Sequence, residues 1–375
     1  MNDDFTIKFI EGIDGCTVDE LCQYILKEAP LVSDWPVLGR PVSYVLRYTN
    51  NHERNRQYHQ FEIPKKSGGT RQIIAPVGDL KTIQKVLAHL LAMVSSPNEH
   101  AHGFIEKHSV ITNARQHIGK TYVLNLDLKD FFPGIYFHQV VHALQKYFSR
   151  DVSVFIAKLC TWTETGDDLP EDVLPQGAPT SPVLSNIVCE AMDARLGGLA
   201  KRFGLTYTRY ADDMTFSSYH SVYAKDSDFW TELHSIIEDS GFRLNGNKTR
   251  LLKKGTRQEV TGITIGGRLN VSRKWMKHLR AQVFRYEMYG GSEEEYRSIM
   301  GKIAFLKMVR GGDDDRARRL YMRIKSSHRS TPMLEQHWSG EYTPHVTAQL
   351  DESIPYIDDI DGDNDCFFSA FDVFD

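Results

Sequence analysis

Apolar and polar positions alternate along this chain with two different periods, and the changes between them mark its elements. Residues 19–29 place apolar side chains at helical spacing and read as a short amphipathic helix. Residues 61–75 read as a hairpin, two β-prone runs flanking a Ser67-Gly68-Gly69 turn. After Asp79, the positions Leu80, Ile83, Leu87, Leu90, Leu91 and Val94 predict a helix. Residues 121–128, Thr-Tyr-Val-Leu-Asn-Leu-Asp-Leu, predict an apolar strand that runs into Lys129-Asp130-Phe131-Phe132-Pro133. A long helix is expected over 181–203, with Ser181 as N-cap and Pro182 at its first position. Two short strands are expected around Tyr210-Ala211-Asp212-Asp213, ending near Ser218. A helix over 226–240, a strand pair over 257–271 and three helices within 272–328 complete the pattern. This order is an α+β layout in which helices back an antiparallel sheet. Residues 331–375 have little periodicity and read as a tail, with Trp338, Tyr342 and a Phe cluster at 367–374.

Charge changes this picture more than composition does. The net charge is −4, yet every one of the 45 Lys and Arg residues precedes position 330, and residues 331–375 carry 11 acidic groups. Residues 1–330 therefore hold 45 basic against 38 acidic residues, a net of +7. A basic body with an acidic tail suits a polyanionic partner. No run reaches the ~18 apolar residues of a membrane helix, and Met1-Asn2-Asp3-Asp4 does not begin a signal peptide. The expectation is a cytoplasmic protein without a membrane partner. The five cysteines, Cys16, Cys22, Cys160, Cys189 and Cys366, include no Cys-x-x-Cys pair and are expected as reduced thiols without metal.

Candidate chemistry gathers on carboxylates. Asp127 ends one apolar strand, and Asp212 and Asp213 occupy the turn of another strand pair. If the strands are neighbours, all three carboxylates meet at one rim. Hard divalent cations need such oxygens, and two cations about 3.5–4 Å apart can activate a hydroxyl and stabilise a leaving pyrophosphate. Read alone, an Asp-Asp pair marks an ordinary exposed turn. Here β-prone Tyr207-Thr208-Arg209 and Met214-Thr215-Phe216 flank it.

With those flanks, Tyr210-Ala211-Asp212-Asp213 resembles the palm motif of reverse transcriptases, and Leu126-Asp127-Leu128-Lys129-Asp130-Phe131-Phe132 resembles their first palm motif. Leu174-Pro175-Gln176-Gly177-Ala178-Pro179-Thr180-Ser181-Pro182 resembles the family's motif beside the nascent base pair, and Asn245-Gly246-Asn247-Lys248-Thr249 a later palm motif. The resemblance, over about residues 30–325, implies a right-hand polymerase fold of fingers, palm and helical thumb plus the acidic tail. Fingers would fall in 1–120, the palm in 121–271 with finger elements around 137–175, the thumb in 272–330 and the tail in 331–375.

It implies RNA-directed DNA polymerisation with dNTP substrates and two Mg2+ ions, Mn2+ as an alternative, held by Asp127, Asp212, Asp213 and the backbone of Leu128. Lys65 and Arg71 would meet the triphosphate, although a charged hairpin can equally be a solvated edge. Asp130, Phe131, Phe132, Gln176 and Gly177 would line the nucleotide site, with Phe132 as the ring that excludes a ribose 2′-hydroxyl. Lys248 would donate a proton to pyrophosphate or stand as a solvated loop lysine.

Two shorter segments resemble the retron group. They are Asn113-Ala114-Arg115-Gln116-His117 and Val260-Thr261-Gly262. That resemblance implies RNA binding by Asn113, His117, Val260, Thr261 and Gly262. It also implies a structured noncoding RNA as partner and primer, a branched multicopy single-stranded DNA product and an accessory effector in antiphage defence. Arg273, Lys274, Lys277 and Arg280 open a basic stretch over 272–328 interleaved with Trp275, Tyr286, Tyr296 and Tyr321, a composition suited to RNA. The competing readings are a group II intron-like or abortive-infection reverse transcriptase, a non-catalytic RNA-binding scaffold, and a palm-like nucleotide cyclase. Intact carboxylates weigh against the scaffold, because nothing else requires mutually repelling groups to stay together.

Overall fold

An apolar strand flanked by amphipathic helices has one stable arrangement, a sheet with helices packed over it. The computed structural model describes residues 4–32, 40–65, 68–164, 171–224 and 226–330. Its helices are α1 (Asp4–Glu11), α2 (Val18–Val32), α3 (Val42–Leu46), α4 (Asn51–Asn55), α5 (Gly78–Val94), α6 (Val110–Arg115) and α7 (Phe137–Leu144). They continue as α8 (Arg150–Cys160), α9 (Ser181–Arg202), α10 (Asp228–Asp239), α11 (Arg273–Tyr289), α12 (Glu293–Arg310) and α13 (Asp315–Ser330). The strands are β1 (Tyr58–Pro64), β2 (Thr70–Pro76), β3 (Tyr122–Asp127), β4 (Trp162–Glu164) and β5 (Glu171–Val173). After them come β6 (Thr206–Tyr210), β7 (Asp213–Ser218), β8 (Arg250–Lys253), β9 (Gln258–Val260) and β10 (Ile263–Ile265). None of these helices is long and apolar enough to cross a membrane. The four cysteines among the described residues are free and buried.

The chain forms two compact units. Among the described residues, the first runs to Ser109 and resumes from Thr121 to Lys253, and the second joins Val110–Lys120 to residues 254–330. The first contains an antiparallel sheet in the order β6-β7-β3-β8. In β3 both faces are covered, with Val123, Leu124 and Leu126 buried, which is why this strand reads as a continuous apolar run. Its core takes in Leu80, Ile83, Leu87, Leu90 and Leu91 of α5 and Leu184, Cys189, Met192 and Leu196 of α9.

Two local expectations are corrected. Thr180, not Ser181, precedes the first turn of α9, and the Ser181 hydroxyl donates to the Pro175 carbonyl at 2.7 Å. Strand β8 was not expected, because Leu251 and Leu252 stand between basic residues on a largely exposed edge. Ser67 of the β1–β2 turn, Cys366 and the tail 331–375 lie outside the described residues.

In the second unit α6 packs on β9 and β10, and α11, α12 and α13 pack together. The helix ends follow local chemistry. Ser272 and Ser292 accept from backbone N–H groups in the first turns of α11 and α12, and Gly290 and Gly311, both at positive φ, end them.

Candidate active site

Asp127 closes β3 and sits opposite Asp213 of β7, while Tyr210 of β6 also pairs with Asp213. Ala211 and Asp212 are therefore the two residues of a tight hairpin turn. Ala211 has φ +55, a conformation that residues with a Cβ rarely adopt. The Leu128 N–H donates to the Asp212 carbonyl at 3.0 Å, stitching the strand end to the turn. The strands expected to be neighbours are neighbours, and they bring Asp127, Asp212 and Asp213 to one rim.

Asp127 is buried, and both carboxylate oxygens have partners. Asn245 Nδ2 donates to Oδ1 at 2.9 Å and Lys248 Nζ to Oδ2 at 2.9 Å. The Asn245 N–H also donates to the Asp127 carbonyl at 2.8 Å. Asp212 retains some exposed surface but is crowded by protein. Desolvation, then the Asp127 charge, pushes its carboxyl up to about 6, against the opposing pull of Lys248 and Arg71. Desolvation alone would lower the Lys248 ammonium; the hydrogen bond and charge of Asp127, with Asp212 and Asp213 behind, raise it overall.

This donor set fits hard divalent cations. Two carboxylates are forced together at an energetic cost that positive charge relieves, and two basic side chains now supply part of it. Among the described residues no three His, Cys, Asp or Glu side chains converge as a group able to hold a metal ion by themselves. Mg2+ does not need one, since it is commonly held by one or two carboxylates and substrate phosphates.

The remaining nucleotide-site candidates surround these groups unequally. The Ile74 N–H on β2 donates to the Gln176 carbonyl at 2.8 Å, tying the hairpin to the Gln-Gly loop. Gly177 has φ +123, and a Cβ there would stand 2.8 Å from Ile73 Cγ2 and 3.3 Å from the Ile74 carbonyl oxygen, so this approach requires glycine. Arg71 on the same strand acts electrostatically on Asp212, whereas Lys65 is exposed near the hairpin tip. Phe131 is buried and stacks on Phe242; Phe132 is half-buried, between Phe131 and Phe104. Asp130 is largely exposed at φ +48.

Sequence reasoning missed two contributors. Asn245 was seen only as part of a motif, and Arg209 only as a flank. Arg209 is fully buried, paired with Asp193 of α9, and donates to the carbonyl of Ala211 in the turn.

Residues 63–265 match the family model for reverse transcriptase (RNA-dependent DNA polymerase). The chain is 37% identical to the retron Mx65 reverse transcriptase of Myxococcus xanthus, over 75% of this chain and 68% of that protein. It belongs to the retron reverse transcriptases. It is therefore an RNA-directed DNA polymerase with the polymerase fold, and a metal-dependent nucleotidyltransferase that uses dNTPs. The retron Ec86 reverse transcriptase of Escherichia coli is 33% identical over 68% of this chain and 77% of its own length. The retron Mx162 reverse transcriptase of Myxococcus xanthus is 33% identical over 72% of this chain but only 62% of its own. Among solved structures, a telomerase from Candida albicans in complex with a telomeric RNA fragment aligns with a TM-score of 0.42 and 12% identity, covering 80% of this chain and 70% of that one.

In this retron reverse transcriptase the two short retron segments, far apart in sequence, meet inside the second unit. Asn113 Nδ2 donates to Thr261 Oγ1 at 3.3 Å. Thr261 and Gly262 form the two-residue turn between β9 and β10, at φ +45 and +75. A type I′ turn requires both values positive, and a β-branched residue is an outlier there. Asn113, His117 and Val260 are buried. Neither the Asn113 nor the His117 side chain reaches solvent in this structure. On α11, Arg273, Lys274, Lys277 and Arg280 are exposed. Three of the four aromatics interleaved with the basic residues make packing contacts within this unit. Tyr286 is buried and bonded to His328, Tyr296 stacks on His328, and Trp275 packs on Phe305.

Proposed function

We propose that this enzyme copies part of a structured noncoding RNA into multicopy single-stranded DNA. It primes from a guanosine 2′-hydroxyl of that RNA, and the branched product serves antiphage defence in the cytoplasm with an accessory effector protein. The observation that carries this reading is the contact between Asn113 and Thr261, which joins both retron segments in one packed feature. The exposed basic residues Arg273, Lys274, Lys277 and Arg280 support an RNA partner, since RNA helices are bound through phosphates and 2′-hydroxyls.

Asp127 and Asp212, with Asp213 and the Leu128 backbone, would hold two Mg2+ ions, which Mn2+ could replace. Bound there, the ions would activate the primer hydroxyl and stabilise the departing pyrophosphate. Asn245 fixes one oxygen of Asp127 and leaves Lys248 as its charged neighbour. In this reading Lys248 would give a proton to pyrophosphate. Arg71, with Lys65, neutralises the triphosphate, because guanidinium can fork two phosphate oxygens. Gln176 and Gly177 flank the nascent pair, and Asp130, Phe131 and Phe132 shape the sugar site. Fingers, palm and thumb are assigned to residues 1–120, 121–271 and 272–330.

The test is expression of the gene with its flanking DNA, followed by extraction of nucleic acid. A short single-stranded DNA that shifts on debranching, and is missing in Asp212→Asn/Asp213→Asn, is the expected result. Extension of added primers with no branched DNA in cells would remove the retron-specific part of the proposal.

A further inference from the structure

The turn that carries Asp212 is held by a layer of buried polar groups bonded to one another. Arg209 and Asp193 are both fully buried. The Arg209 guanidinium donates to both oxygens of Asp193, from Nε at 2.8 and 3.1 Å and from Nη2 at 2.6 Å. Two of its remaining hydrogens serve the turn and its supports: Nη1 donates to the Ala211 carbonyl at 3.0 Å and Nη2 to Asn186 Oδ1 at 3.1 Å. Asn186 Nδ2 in turn donates to the Gly103 carbonyl at 2.9 Å, and Tyr207 Oη to Asp193 Oδ1 at 2.8 Å. Gly103 lies so close that a Cβ there would stand 2.6 Å from the Ala211 nitrogen. The backbone of Arg209 is gripped as well, its N–H donating to the His100 carbonyl at 2.8 Å and its carbonyl accepting from the His102 N–H at 2.7 Å.

A two-residue turn with alanine at φ +55 is strained and persists only where its surroundings over-determine it. Burying a charged pair is a poor way to gain stability, since apolar residues of similar volume often do as well or better. The pair does supply direction: a planar guanidinium can satisfy Asp193, Asn186 and Ala211 at once, which neither an ammonium nor a hydrocarbon can. We infer that Arg209, oriented by Asp193, is a positioning residue that fixes the Ala211 turn and thereby the placement of the Asp212 carboxylate. This rests on the reading that Asp127 and Asp212 hold the catalytic cations.

The test uses the full chain carrying Arg209→Met together with Asp193→Leu, which leaves no unpaired charge in the core. The readouts are thermal unfolding, single-turnover primer extension, the KM for template–primer, and Mn2+ binding followed by electron paramagnetic resonance without nucleotide. The expected result is cooperative unfolding and an unchanged KM. Extension rate and Mn2+ affinity should each fall about 10- to 100-fold, as when a partner that orients a metal ligand is removed. A folded double variant with wild-type rate and Mn2+ affinity would overturn the inference. If the double variant does not fold, Arg209→Lys decides it. Lysine keeps the charge opposite Asp193 but cannot reach all three acceptors, so the same losses support the role and wild-type values refute it. Asp127→Asn is the separate control. If that variant binds Mn2+ and extends primers normally, the assignment of the cation site fails, whatever Arg209 does.

Discussion

Phe131 and Phe132 are adjacent and chemically identical, yet the backbone sends one into the core against Phe242 and leaves the other half-buried beside Phe104. If Phe132 is the ring that meets the sugar, Phe132→Ala should admit ribonucleotides. The ratio of kcat/KM for dNTP over rNTP should drop by about one to two orders of magnitude. An unchanged ratio in a folded variant would remove that role. His102 supports a prediction about acid stability. Burial, then His108 and His100, lowers its pKa to about 4, against about 6.5 for an unfolded histidine. The unfolded chain therefore takes up this proton first, and the contribution of neutral His102, complete above about 6.5, is lost as pH falls toward 4. His102→Asn should lose less thermal stability than the wild type between pH 7.5 and 5, and parallel losses would refute this. At this scale the carboxylates were legible because apolar strands lead into them. Arg209 was not: an arginine in an alternating strand reads as solvent-facing, and its partner Asp193 lies on a helix whose polar positions read as surface.

The β9–β10 hairpin shows what an element's pattern conceals. Val-Thr-Gly reads as strand, yet only Val260 is strand, and Thr261-Gly262 is the turn. A double-mutant cycle of Asn113→Ala and Thr261→Val should give a coupling of about 0.5–1.5 kcal/mol, the worth of one hydrogen bond. Zero coupling in denaturant melts would mean the contact does not support the turn. The helices α2, α5 and α10 were legible because their apolar positions recur at helical spacing, and α9 because Pro182 opens it although its expected cap was wrong. The strand β8 was hidden, since an edge strand buries too little to imprint a period on the sequence. The aromatics of α11–α13 have a packing role that the sequence pattern did not display. Tyr286 and Trp275 occur among basic residues in sequence, but helical spacing turns them toward neighbouring helices while Arg273, Lys277 and Arg280 remain exposed.

For the whole molecule, the division of charge is the feature that sequence alone exposes, +7 over residues 1–330 against 11 acidic groups and no Lys or Arg after it. We propose that the acidic tail serves the effector and not synthesis: removing residues 331–375 should leave primer extension intact while weakening effector binding or phage defence, and loss of polymerisation itself would contradict this. The catalytic account is tested most directly by extension of a DNA primer on an RNA template by the purified chain, with Asp127→Asn and Asp212→Asn compared alongside. The account predicts Mg2+-dependent dNTP incorporation by the wild type and losses of several orders of magnitude in both variants, which still fold. Undiminished synthesis in either folded variant would contradict the assignment of Asp127 and Asp212 as the catalytic carboxylates.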